Sequence, residues 1–295
     1  MPELWKAEKL WPAQAEVGEG PLWDVGEQVL WWVDILSHRV HRFDPVRNDA
    51  QSFDVGQQVG TLVCRGQGGL MLAMEDGFAS FDPATNTLEL ISDPEADQPE
   101  NRFNDGKCDP AGRFWAGTMN LNDAAARTGA LYSLDANHQV TRHFSNVAIS
   151  NGIVWTSDAN TMYYIDTLDR GIDAFDYDLE QGAISKRRTV IEVPEELGGP
   201  DGMAIDAEDM LWVAMFGGGC VVRYDPRSAA ELARVEVPAS NVTACAFGGT
   251  DLDQLYITTA RVGLDPPELA LQPAAGDLFV AATGVAGVAS PKYAG

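Results

Sequence analysis

Apolar residues recur along the chain in short alternating runs divided by Gly, Pro, Asp and Asn, the pattern of half-buried strands. One pattern repeats: a polar residue, a glycine, then a few apolar positions. It appears as EGPLWD from Glu19, NDGKCD from Asn104, NGIVWT from Asn151 and DGMAID from Asp201, with weaker copies in GTLVC from Gly60 and NVTACAF from Asn241. These place unit starts near residues 20, 60, 106, 152, 202 and 242. The spacing of roughly 40 to 50 residues is that of a four-stranded propeller blade. About ten residues after each start comes a second run rich in aromatic and β-branched side chains, as in LWWVD, LMLAM, RFWAG, MYYID, LWVAM and LYITT. A third run follows each, as in HRVHRFDP, GFASFDP, GALYSLDA, GIDAFDYD, GCVVRYDP and GDLFVAAT.

The pattern predicts an all-β, six-bladed propeller occupying residues 1–295 as one domain. No segment shows sustained helical periodicity, and both PEADQPENR and DPPELALQP read as loops. A ring of repeats leaves a seam unless its ends pair. The strand-like stretch 5–17 precedes the first unit, so it is expected to supply the outer strand of the sixth blade.

Composition narrows the partners. With 44 acidic against 20 basic residues, the net charge of -24 repels nucleic-acid phosphates and anionic membranes. No run approaches a membrane span, and the N-terminus lacks the continuous apolar stretch of a secretory signal, which points to a cytoplasmic protein. Cys64, Cys108, Cys220 and Cys245 are widely spaced in apolar or Gly-rich stretches and read as buried free thiols.

In a propeller the first strand of each blade lines the channel, so residues just before those strands meet at one mouth. Glu19, Asp105, Asn151 and Asp201 are expected to converge there. Loops 120–129, 167–171, 216–219 and 261–276 return to the same mouth. Singly, Asn151-Gly152, Pro200-Asp201-Gly202 and Glu19 between glycines are good turn signals. Turn chemistry explains the glycines but not why carboxylates and an amide take equivalent places. Crowded carboxylates repel unless a cation neutralises them. Two carboxylates and an amide oxygen suit one hard or borderline divalent cation, Ca²⁺, Zn²⁺, Mn²⁺ or Mg²⁺. Arg102 and Asn104 precede the third channel strand and are placed to hydrogen-bond a ligand's hydroxyls or carbonyl, with an Arg102 ion pair to Glu100 or Asp97 as the alternative. Lys107 reads as solvent-facing or packed by its stem. No G-x-S-x-G or H-E-x-x-H occurs, and His38, His41, His138 and His143 read as lying in or near surface hairpins.

The segments GEGPLWD, NRFNDGKCDPAGRFWAGTM, SNGIVWT, YYIDT, GGPDGMAIDAEDMLWVA and LYITTAR resemble, in order and over nearly the whole chain, the SMP-30/gluconolactonase/regucalcin family of propeller lactonases. That resemblance implies hydrolysis of a sugar lactone to its aldonic acid with one divalent cation. By motif it assigns Glu19, Asn151 and Asp201 as metal ligands and Arg102 and Asn104 as substrate contacts. Asp105 falls beside the metal water network. Where vertebrate members carry a substrate-contacting Glu after GTM, this chain has Asn122, which can donate and accept toward a sugar hydroxyl. The implied mechanism has the cation polarising the lactone carbonyl while water attacks, with Asp201 as candidate general base. Two rivals stand beside it: hydrolysis of other esters or organophosphates in the same pocket, and a non-catalytic propeller that binds calcium or a protein partner. Oligomeric state is not legible.

Overall fold

The computed structural model describes residues 2–295, which form six sheets arranged as the six blades of a β-propeller. The inner strands are Gly18–Asp24, Val59–Cys64, Asn101–Cys108, Ser150–Trp155, Gly199–Ile205 and Val242–Gly248, close to the starts read from the repeat. Each pairs antiparallel with an aromatic-rich second strand, as Gly18–Asp24 does with Val29–Asp34. Side chains from adjacent blades interdigitate to form the core. Trp32, Trp115 and Trp212, all on second strands, are among its largest fully buried members.

The outer strands were not legible as a repeat. Asp49–Asp54 and Thr87–Ser92 are almost wholly exposed, so no apolar face marks them in the sequence. One expectation is corrected outright. Residues Pro266–Leu271, read as loop, form a short helix. Asp265 accepts from the Glu268 N–H at 2.8 Å, and the Glu268 carboxylate accepts from the Asp265 N–H at 2.8 Å. This capping box, with Pro at the first helical turn, starts a helix too short to show periodicity.

The N-terminal stretch closes the ring, although not as one strand. Glu8–Trp11 pairs antiparallel with Leu278–Ala282 as the outer strand of the sixth blade. Glu3–Lys6 instead lies parallel to Ala230–Glu236, giving the fifth blade a fifth strand. Trp5 stacks on Trp212 with ring centroids 5.8 Å apart. Trp11 packs edge-on to Trp32 at 5.5 Å and lies parallel to Phe43 at 6.1 Å, tying the sixth blade to the first.

Beyond Ala282 the chain crosses the opposite end of the ring as a strap. Ala207 N–H donates to Ala286, Gly287 to Leu252, Tyr293 to Cys64 and Ala294 to Gly112, so the strap touches the turns of four blades. Tyr293 is fully buried and donates its hydroxyl to the Asp135 carbonyl at 2.6 Å. Lys292 meets Asp24 at 3.1 Å. The four cysteines are free and buried, as expected. No helix among the described residues is long and apolar enough to cross a membrane.

Candidate metal and substrate site

Except for Asn122, each expected site residue sits inside its inner strand, not ahead of it. The pairing of inner and second strand breaks register between Glu19 and Leu22, between Phe103 and Gly106, between Ser150 and Ile153, and between Pro200 and Met203. A bulge leaves residues without ladder partners and turns their side chains. Asn104 and Asp105, Asn151, and Asp201 lie in these gaps, while Glu19 borders one.

The glycines are not turn residues, which corrects the sequence reading. A Cβ on Gly152 would stand 2.6 Å from the Met203 Cβ and 2.9 Å from the Asp201 carbonyl on the next blade. One on Gly20 would stand 3.1 Å from the Thr61 hydroxyl, at a backbone φ of +54°. Glycine lets neighbouring inner strands close around the channel.

The structure brings Glu19, Asp105 and Asp201 near enough for their charges to act on one another. All three are buried, together with Asn104 and Asn151. Burial and then the Asp105 charge push the Glu19 carboxyl up to about 8, against the Gly20 N–H that holds its Oε2 at 2.8 Å. Burial, then Glu19 and Asp105, push the Asp201 carboxyl well above the usual carboxylate range. Asp105 accepts from the Gly106 N–H at 2.7 Å through one oxygen, and its other oxygen, Oδ2, is buried with no partner. Such an orphaned atom beside two other buried acids is the donor chemistry a cation satisfies.

Among the described residues no three His, Cys, Asp or Glu side chains form a metal cage by themselves. The set here draws on an amide as well. Asn151, Glu19 and Asp201 together offer only oxygen donors, which fits a hard or borderline divalent ion.

Arg102 turns inward and makes no ion pair with Glu100 or Asp97. Its Nη1 donates to the Phe103 carbonyl at 2.8 Å and to Asn104 Oδ1 at 2.7 Å. Burial lowers its guanidinium to about 10, opposed by the charges of Glu19 and Glu75. Asn104 Nδ2 donates to the Ser150 carbonyl at 2.8 Å and to Asn151 Oδ1 at 3.2 Å, linking the third and fourth blades. Asn151 Nδ2 in turn donates to Thr167 Oγ1 at 2.7 Å. In the sequence Thr167 ends the YYIDT segment and starts a mouth loop, with no role assigned to it. Asn122 is exposed, its N–H held by Asn120 Oδ1 at 2.9 Å, and nothing joins its side chain to the cluster. Lys107 is half-buried, and its charge acts on Glu19.

Two of the four histidines depart from expectation. His38 and His138 occupy turns with positive φ. His41 is buried on its strand, stacked on Trp32 at 4.2 Å, and His143 stacks on Trp115 at 3.9 Å. None joins the acidic mouth. Two clefts lie elsewhere: one of about 460 Å³ around Arg42, Arg65 and Lys292, and one of about 330 Å³ between Lys107 and the strap. Neither contains the carboxylate and amide set.

Residues 17–261 match the family described as the SMP-30/Gluconolactonase/LRE-like region. Regucalcin of Danio rerio is 43% identical over 282 residues, covering 95% of each chain. Regucalcin of Homo sapiens is 41% identical over 295 residues, covering 98% of this chain and 99% of its own. The crystal structure of a calcium-binding protein, regucalcin, from Agrobacterium tumefaciens superimposes with a TM-score of 0.94 at 30% identity, covering 99% of each chain. The chain belongs to the SMP-30/Gluconolactonase/LRE-like family.

Proposed function

We propose that this protein hydrolyses a sugar lactone to the aldonic acid, using one divalent cation held by Glu19, Asn151 and Asp201. The observation that carries the reading is the orphaned Asp105 oxygen beside two buried, mutually repelling carboxyls at one channel mouth. A divalent ion held there supplies Lewis acidity toward the lactone carbonyl. The protein's own groups do the rest. Asp201, which would be ionised once a cation offsets the Glu19 and Asp105 charges, takes a proton from water at a carboxylate oxygen as the water oxygen bonds to the carbonyl carbon. It gives that proton to the ring oxygen as the acyl C–O bond breaks and the open-chain acid forms. Arg102 has its Nη1 committed to Phe103 and Asn104, and it directs its remaining donors to ring hydroxyls or the lactone oxygen. Asn104 has spent both amide hydrogens on Ser150 and Asn151, so its part toward substrate is to accept from a hydroxyl through Oδ1. Asn122, exposed in the 120–129 loop and not joined to the cluster, contacts the sugar in this reading only if that loop reaches the bound substrate.

Acid release from several aldonolactones, measured after chelation and after adding back Ca²⁺, Zn²⁺, Mn²⁺ or Mg²⁺ in turn, tests the proposal. Turnover is expected to vanish on chelation and to return with at least one ion. Unchanged turnover after chelation overturns the metal's role. The calcium-binding description of the Agrobacterium tumefaciens regucalcin favours a second reading, a cation-binding propeller without catalysis. It predicts stoichiometric ion binding with no acid release. Faster turnover of aryl esters or organophosphates than of lactones assigns the site to those substrates instead.

A further inference from the structure

An asparagine can face a ligand with its oxygen or its nitrogen, and only the oxygen coordinates a cation. Four hydrogen bonds across three blades decide which way Asn151 faces. Arg102 Nη1 donates to Asn104 Oδ1 at 2.7 Å, Asn104 Nδ2 to Asn151 Oδ1 at 3.2 Å, Asn151 Nδ2 to Thr167 Oγ1 at 2.7 Å, and Thr167 Oγ1 to the Pro200 carbonyl at 2.9 Å. The two ends have no choice of direction. A guanidinium only donates, and a backbone carbonyl only accepts.

Thr167 has one hydroxyl hydrogen, and Pro200 takes it. The hydroxyl can therefore only accept from Asn151, which places the Asn151 NH₂ group toward Thr167 and its oxygen toward Asn104. Reversing the Asn151 amide would set its NH₂ against that of Asn104, whose hydrogens are already aimed at Asn151 and the Ser150 carbonyl. It would also pull the Thr167 proton away from Pro200. Thr167 is itself held, because its N–H donates to the Ile149 carbonyl at 3.1 Å. One Asn151 lone pair accepts from Asn104, and the other is left for an ion.

We infer that Thr167 is a positioning residue which, by donating to Pro200 and accepting from Asn151, locks the Asn151 amide with its oxygen available for coordination. This rests on reading Asn151 as a cation ligand. Thr167 itself touches neither ion nor substrate in this arrangement, and the YYIDT segment that ends on it assigns it no part.

Two substitutions test it. Thr167→Val keeps the shape and removes the hydroxyl, and Thr167→Ser keeps the hydroxyl. Calcium and manganese affinities are measured by calorimetry, and the Asn151 side-chain amide signals are followed by NMR without any cation. Thr167→Val is expected to weaken ion binding about ten- to hundredfold, the usual effect of losing a group that orients a ligand, and to shift the Asn151 amide signals. Thr167→Ser is expected to restore both. Wild-type affinity together with unmoved amide signals in Thr167→Val overturns the inference, as does a Thr167→Ser variant as impaired as Thr167→Val. A wild-type protein that binds no ion defeats the proposed metal site. In that event the amide signals still judge the locking of Asn151 by themselves.

Discussion

Buried acids without a counter-ion cost a fold stability, and at this mouth that cost falls on Glu19 and Asp201. Glu19→Gln removes a carboxyl that burial and Asp105 oblige to take up a proton on folding near neutral pH. The ion-free protein is expected to melt higher, by about 2–4 °C for each kcal/mol of that penalty removed. It should also lose the rise in Tm that calcium or manganese gives the wild type by binding only the folded form. Thermal melts with and without chelator check both halves. Away from the mouth, burial holds His41 and His143 neutral, with pKa lowered from 6.5 to about 4. Between these values the unfolded chain binds protons that the folded chain refuses. Stability is therefore unaffected by these groups above pH 6.5 and falls as pH drops through the window, at about 1.4 kcal/mol per pH unit for each imidazole at most. Glu19 and Asp201, held above the usual carboxylate range, act in the opposite sense over this window, so the imidazole's part is read from a difference. Between pH 6.5 and 5 the wild type should lose more stability than His143→Gln, by up to about 1.4 kcal/mol per pH unit, in paired urea unfolding series. The acids were legible in the sequence because the repeat put them in equivalent places. Thr167 was not, because its part depends on which way an amide faces. His41 and His143 were misplaced because their polar character conceals the indole stacking that buries them.

At the level of the strand, one bulge device serves four blades. The polar residue leaves the ladder in three of them and borders the break at Glu19, and the glycine beside it, as in Asn151-Gly152, admits the neighbouring blade. Gly152→Ala would force a methyl group against the Asp201 and Met203 backbone. It is expected to cost about 1–3 kcal/mol, the usual range for overpacking, and to abolish lactone turnover by displacing Asp201. Urea unfolding and acid release read the two effects separately. If Gly152 served only as a turn, activity would survive. Inner, second and third strands were readable because each has a buried face. The outer strands lie against solvent and carry no such signature, and the Pro266–Leu271 helix could be found only through the D-x-x-E spacing of its cap.

The molecule as a whole depends on two terminal devices. Trp11 joins the sixth blade to the first through Trp32, His41 and Phe43. Trp11→Ala should lower stability by about 2 kcal/mol, roughly half the loss for a fully buried Trp, since Trp11 is only half-buried. Calorimetry should still show one cooperative transition; separate melting of individual blades would mean that the ring does not act as a unit. The seam expected from the sequence is closed, and the extra strand on the fifth blade was illegible because parallel pairing at a blade's rim leaves no periodic trace in Glu3–Lys6. This closure also governs assembly. Glu8–Trp11 and its partner Leu278–Ala282 are separated by nearly the whole propeller in sequence, so the last blade stays three-stranded with a bare edge until the two meet. A second molecule carries the same N-terminal strand. At high protein concentration, exchange of that strand between copies competes with self-closure, and refolding then yields swapped dimers at the expense of monomer.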